Sequence, residues 1–288
     1  MTETYAPDGA APMTAPSRAH VTLPRGACDS HCHIFGPFDR FPLPADRSFN
    51  PHETPETALR ALHDHLGIDR AVIVQSQGHG LDHAALLDAL DRSAGRYRGV
   101  ALLRPGMSRA GLDDLDRRGI RGVRFSFMPH LGRPDLEMVR AVIAEVAPLG
   151  WHVAIHVAGD GLAEMSPFIA GIDAPVVIDH MARPTRPDDP ACLDGLRRLL
   201  DRGRVWVKLS GAERLTRVGA PYDDVAPLMR ALIDHAPGQM LWGSDWPHVN
   251  LHGPMPDDGA LVDRLASLTS EAERQQILVS NPAQLFGF

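Results

Sequence analysis

The chain has 288 residues, 44% hydrophobic and 23% charged, with a formal net charge of −7 and an isoelectric point near 6.1. That balance excludes a general nucleic-acid binder, which needs a basic footprint, and no apolar run of about 18 residues is present to span a membrane. Three cysteines, Cys28, Cys32 and Cys192, form no CxxC pair and no disulfide framework, so a reduced, cytoplasmic setting is expected.

Residues 1–25, with Pro7, Gly9, Pro12 and Pro16 among small apolar residues, read as a flexible N-terminal arm. Residues 26–288 alternate between short β-branched runs and longer amphipathic stretches. Strands are expected at Cys28–Phe35, Arg70–Gln75, Tyr97–Leu103, Gly122–Phe127, His152–Val157, Val176–His180, Val205–Leu209 and Met240–Gly243. Helical patterns separate them, at Glu56–Leu66, Leu81–Ala94, Arg109–Arg118, Asp135–Leu149, Leu162–Ile169, Cys192–Arg202 and Tyr222–His235, with Asp257–Leu265 after the last strand. Near-continuous apolar strands alternating with helices indicate a parallel sheet covered by helices. Eight such units in this length fit a single (β/α)8 TIM barrel, and no strand is followed by a GxGxxG or GKS/T phosphate loop.

In such a barrel the working residues stand at the C-terminal strand ends. The first strand carries Asp29-Ser30-His31-Cys32-His33. Alternation puts His31 and His33 on one side, about 7 Å apart along the chain, which lets two imidazoles share one ion. Strand five ends in His156, strand six in His180, and strand eight runs into Gly243-Ser244-Asp245-Trp246-Pro247-His248. Three imidazoles and a carboxylate suit one divalent ion, zinc first, with a position left for water. Asp245, touching that water, would collect its proton and pass it to the leaving oxygen. His152 begins its strand and is expected to be structural. Arg124 on strand four and Arg214 after strand seven suggest an anionic substrate, since arginine matches a carboxylate through two parallel hydrogen bonds. The alternative for Arg124 is a structural ion pair, which is also the expectation for Lys208.

The segments Asp29–Pro37, Val177–Met181, Trp206–Gly211, Trp242–His248 and Asn281–Phe286 together resemble the amidohydrolase superfamily. Within it they are most similar to the 2-pyrone-4,6-dicarboxylate lactonase group, over nearly the whole chain from Ala27. The resemblance implies an amidohydrolase-type barrel acting in the breakdown of aromatic compounds. Asp245 would activate water, with His31, His33 and His180 around the scissile carbonyl. Arg124 and Arg214 would hold substrate carboxylates, and Ser76 would contact the ligand; by their loop positions near the site, His79, His130 and His248 are further candidates for substrate contact.

Three positions depart from that group. It works without a metal and has a tyrosine where strand five here ends in His156. It has a second arginine where this chain has His130, and a tyrosine where this chain has Phe49. His156 completes a ligand set of His31, His33, His156 and Asp245, as related zinc lactonases acting on muconolactone-type substrates would need.

The expectation is therefore a hydrolase that opens a small anionic lactone, 2-pyrone-4,6-dicarboxylate or a muconolactone-type relative. One divalent ion or metal-free catalysis both remain open. A metal-dependent decarboxylase on the same barrel is the alternative, and a non-catalytic small-ligand binder is the least favoured reading. The substrate is the only partner expected, without nucleic acid or membrane, and a homo-oligomer is left open.

Overall fold

The computed structural model describes residues 5–128, 132–251 and 253–288. Eight strands stand in sequence order: β1 Cys28–Cys32, β2 Arg70–Val74, β3 Tyr97–Ala101, β4 Ile120–Ser126, β5 His152–His156, β6 Val176–Ile178, β7 Val205–Leu209 and β8 Met240–Trp242. Each pairs with the next in parallel. Helices connect them, so the expected (β/α)8 barrel is the architecture that forms.

The strands are apolar on both faces because both faces are covered. Inside the barrel, Cys28, Val72, Val74, Val100, Ala154, Val177, Trp206 and Leu241 form one cluster with Phe286, which the last helix, Asn281–Phe286, supplies. Outward-facing residues such as Ile73, Val123, Val153 and Val207 join the larger core shared with the helices. His152 packs edge-on against Phe286, ring centroids 5.1 Å apart. It lies at the opposite end of its strand from His156.

The seam between β1 and β8 carries the site. Asp245 N donates to His31 O at 2.8 Å and His33 N to Trp246 O at 2.7 Å. Asp29 staples the same seam, accepting from Ser244 N at 3.0 Å and Ser244 Oγ at 2.5 Å. Gly243 is needed here, since a Cβ would fall 2.6 Å from His31 Cβ. The register of β1 against β2 shifts between Asp29 and Cys32. Such a bulge re-aims side chains: Cys28 stays inside the barrel, Asp29 turns toward His63 on the helix Glu56–Leu66, and His31 turns back in.

Several boundaries differ from the sequence expectation for local reasons. β1 ends at Cys32 because the next residues pair across the seam. The sixth helix begins at Pro190 instead of Cys192, as Asp189 caps it by accepting from Ala191 N at 3.0 Å. β6 stops at Ile178 because His180, Met181, Ala182 and Arg183 all take positive φ, between 43° and 60°.

The arm over residues 5–25 lies along the barrel. Ser17 N donates to Asp257 at 3.0 Å, His20 pairs with Asp263 at 2.6 Å, and Asp8 accepts from Asn50 N at 2.8 Å. Val21 and Leu23 pack on the core. No helix among the described residues is long and apolar enough to cross a membrane.

Candidate active site

At the C-terminal mouth, four side chains converge. His31 Nε2 and His33 Nε2 are 3.2 Å apart. Asp245 Oδ1 lies 3.5 Å from His31 Nε2, 3.6 Å from His33 Nε2 and 3.8 Å from His180 Nε2. All four residues are buried. Asp245 sits at φ 65°, a left-handed conformation that aspartate tolerates better than most residues. Its other oxygen, Oδ2, accepts from Arg214 Nε at 2.6 Å. Burial opposes the charge on Asp245, but Arg214, His180 and His33 outweigh it and hold its pKa well below the usual carboxylate range. Burial pushes His180 well below its ordinary value, and burial with Lys208 pushes His31 down to about 4. The site is thus a charged carboxylate facing His31 and His180, whose imidazoles burial keeps neutral, with His33 beside them.

Donor spacing supports a shared ion. Ligands about 2.1 Å from a tetrahedral metal stand roughly 3.4 Å from one another, and the separations above bracket that value. His33 Nδ1 donates to Val74 O at 2.7 Å, which leaves the Nε2 lone pair facing Asp245. His31 Nδ1 touches both a donor, Lys208 Nζ at 2.9 Å, and an acceptor, Asp179 Oδ1 at 3.4 Å. Either tautomer of His31 is therefore supported. With the proton on Nδ1 the ring can ligate a metal; with it on Nε2 the ring donates to a carbonyl oxygen. His31, His33 and Asp245 have ligand atoms within 4.8 Å of one another, as do His31, Asp179 and His180.

His156 belongs to neither group. Its Nδ1 faces Ser126 Oγ at 3.3 Å and its Nε2 has no partner among the described residues. Burial, then Arg124, pushes its pKa well below the ordinary value. The third imidazole beside Asp245 is His180, which was expected around the scissile carbonyl and not in the ligand set.

Beneath the histidines lies a buried ion network. Asp179 Oδ1 is 3.0 Å from Lys208 Nζ, and Oδ2 accepts from Arg124 Nε at 2.8 Å. Burial disfavours its charge, but Lys208 and Arg124 outweigh this and keep Asp179 well below the usual range. Lys208 is thus held in an ion pair.

A cavity of about 750 Å³ opens above, lined among others by Ser76, Arg124, His156, Arg183, Arg214 and Asp245. Arg124 and Arg214 each spend Nε on a carboxylate. Arg183, which the sequence reading did not single out, makes no side-chain bond or ion pair among the described residues. It reaches the cavity because the left-handed run from His180 brings residues 180 and 183 to one side of a tight turn. Each such residue costs roughly 1–2 kcal/mol, so the turn is retained against its strain. The only sequence signal was the arginine soon after His180.

Ser76 lines the cavity and accepts from Gly78 N at 3.2 Å. His248 is buried outside it, 3.1 Å from Asp258 and 3.7 Å from Glu213. His130 lies outside the described residues.

The chain is similar to known proteins over most of its length. Residues 28–288 match the amidohydrolase family model. The chain is 40% identical to a 2-pyrone-4,6-dicarboxylate hydrolase of Comamonas testosteroni, covering 94% of this chain and 93% of that one. It is also 40% identical to a 4-sulfomuconolactone hydrolase of Rhizobium radiobacter, covering 92% and 91%. Among solved structures, an apo protein of Agrobacterium tumefaciens superposes with a TM-score of 0.83 at 30% identity, over 94% of this chain and 98% of that chain. With the barrel, the strand-end histidines and Asp245 in place, this chain belongs to the amidohydrolase family.

Proposed function

We propose that this protein is a hydrolase that opens the ring of a small anionic lactone by Asp245-activated attack of water. The observation that carries the reading is the pairing of a clamped, charged Asp245 with the three imidazoles of His31, His33 and His180 at the floor of a cationic cavity. The two named relatives act on lactones of this kind.

The substrate carbonyl would sit over His31, His33 and His180. Asp245 Oδ1 takes a proton from water as the water oxygen bonds to the carbonyl carbon. His180 and, with its proton on Nε2, His31 stabilise the oxyanion, an effect worth about 3 kcal/mol per well-placed donor. The ring carbon–oxygen bond then breaks, and Asp245 returns the proton to the departing oxygen. A divalent ion, zinc in the first instance, would be held by His31, His33 and Asp245 with His180 beside them, and would polarise the carbonyl and acidify water.

Arg183 supplies a cation for the substrate's anionic group, with Ser76 as a polar contact and His156 in the wall of the cavity. Arg124 and Arg214 contribute field while committed to Asp179 and Asp245. Arg183 is wholly uncommitted and Arg124, bonded through Nε alone, keeps its Nη groups for the cavity, which suits a lactone carrying carboxylate or sulfonate groups. Such substrates arise in the breakdown of aromatic compounds, and three buried free thiols suit a reducing cytoplasm.

The test is a panel of small lactones carrying one carboxylate, one sulfonate or two carboxylates, with products weighed by mass spectrometry. Gain of one water molecule on at least one of these lactones is expected. Loss of carbon dioxide from an unsaturated acid, without lactone opening, would replace this reading with the decarboxylase.

A further inference from the structure

A second set of buried charges adjoins the site and is not used by the chemistry above. Asp258 is the first residue of the helix Asp258–Leu268, yet it does not cap it; Asp257 does, accepting from Gly259 N at 3.0 Å. The Asp258 carboxylate instead turns inward to His248 Nε2 at 3.1 Å. On the far side of that ring, His248 Nδ1 lies 3.7 Å from Glu213 Oε1, which is 3.5 Å from Arg214 Nε. Arg214 Nε in turn donates to Asp245 Oδ2 at 2.6 Å, while its Nη2 donates to Val249 O at 2.9 Å. Each of these side chains is at most 8% exposed.

The result is a row of alternating charge that ends on the reacting carboxylate: Asp258, His248, Glu213, Arg214, Asp245. Most of the inner row is held by charge alone. Both Glu213 oxygens, His248 Nδ1 and Asp258 Oδ2 have no hydrogen-bond partner among the described residues. Unsatisfied buried polar atoms cost stability, and a buried ion row is a poor way to stabilise a fold. Its placement is better explained by what it holds.

We propose that His248 and Glu213 are positioning residues that set the Arg214 guanidinium, and through it fix Asp245 with Oδ2 tied and Oδ1 turned to the histidines. The inference rests on the reading of Asp245 as the group that activates water. The electrostatic logic is direct. With His248 cationic, Glu213 is shared between two cations and Arg214 remains on Asp245. Without it, Glu213 and Asp258 face each other with Arg214 as the nearest cation, and Arg214 is drawn toward Glu213. The ring stands between two buried carboxylates, Asp258 on Nε2 and Glu213 on Nδ1, and opposite charges this close favour its cationic form. His248 also donates its backbone N–H to Asp245 O at 2.8 Å, a bond that a side-chain change leaves in place.

The test uses His248→Gln and Glu213→Gln in the full chain, with Arg214→Met as the reference background. Steady-state kinetics on a lactone that the wild type opens should show kcat lower by about 10–100-fold with KM within about threefold, the size expected of a misplaced reacting group. In the Arg214→Met background, adding His248→Gln should change kcat by less than about twofold, because the link is already cut. Crystal structures supply a readout independent of turnover: in His248→Gln, Arg214 Nε should leave Asp245 Oδ2 for Glu213. Unchanged Arg214–Asp245 geometry, fully multiplicative losses, or a raised KM with unaltered kcat would each overturn the proposal. Displacement of Arg214 in a protein that opens none of the lactones would uphold the positioning and remove the proposed function instead.

Discussion

Arg214 Nε meets Asp245 Oδ2 at 2.6 Å, so the arginine expected to hold substrate is bonded to the carboxylate expected to activate water. This one bond orders the rest of the site. It keeps Asp245 ionised against burial, fixes which of its oxygens faces the imidazoles, and leaves Arg183 to receive an anion.

Arg183→Gln should therefore weaken substrate binding far more than turnover. Removing a hydrogen bond to a charged group costs roughly 1.5–3 kcal/mol, which corresponds to a KM about 10–100-fold higher with kcat largely kept. Steady-state kinetics measure both. A KM unchanged within a factor of two would show that another residue holds the anion.

Asp179 is the shared partner of Lys208 and Arg124, all buried. Asp179→Asn leaves a buried ammonium with its carboxylate removed, and breaking a buried ion pair from one side costs about 3–5 kcal/mol. Urea denaturation should show that loss. A change below about 1 kcal/mol would mean that the network contributes little to the fold.

The donor geometry separates His33 from His156. Titration of chelator-treated protein with zinc, read by elemental analysis after desalting, should give one equivalent per chain in the wild type and in His156→Gln. His33→Gln should lose it. Loss in His156→Gln with retention in His33→Gln would move the ligand set to the one first drawn from the strand ends.

Acid should destabilise the fold through histidines kept neutral. Burial, with Lys208 adding to it, lowers the His152 pKa to about 3, against an ordinary value of 6.5. The unfolded chain then takes up a proton that the folded chain refuses, so stability falls as pH drops from about 6.5 toward 3. His152→Leu, at the end of the barrel away from the mouth, should lose Tm less steeply over that window than the wild type. Parallel Tm profiles would contradict this assignment.

Much of this was legible in the chain because strand ends announce themselves. A polar residue closing an apolar run, as at His31, His33, His180 and Asp245, is readable without knowing what lies opposite. Partners across the barrel were not readable, since they depend on closure. Nothing local says that Arg124 finds Asp179 from β6, or that Arg214 finds Asp245. The exchange of His156 for His180 beside Asp245 has a similar origin. A left-handed turn after β6 swings His180 toward the β1 seam, and four successive positive-φ residues carry no glycine to mark them. The arm was also opaque: its contacts at Asp257 and Asp263 lie some 240 residues away in sequence.

The central claim is tested most directly by turnover of Asp245→Asn on the lactone that the wild type opens, with circular dichroism to confirm the fold. Asparagine keeps the shape and cannot accept the proton from water, so kcat should fall by about 10²–10⁴-fold, the usual contribution of a general base. Turnover within a factor of ten of the wild type, in a folded variant, would contradict Asp245 as the group that activates water.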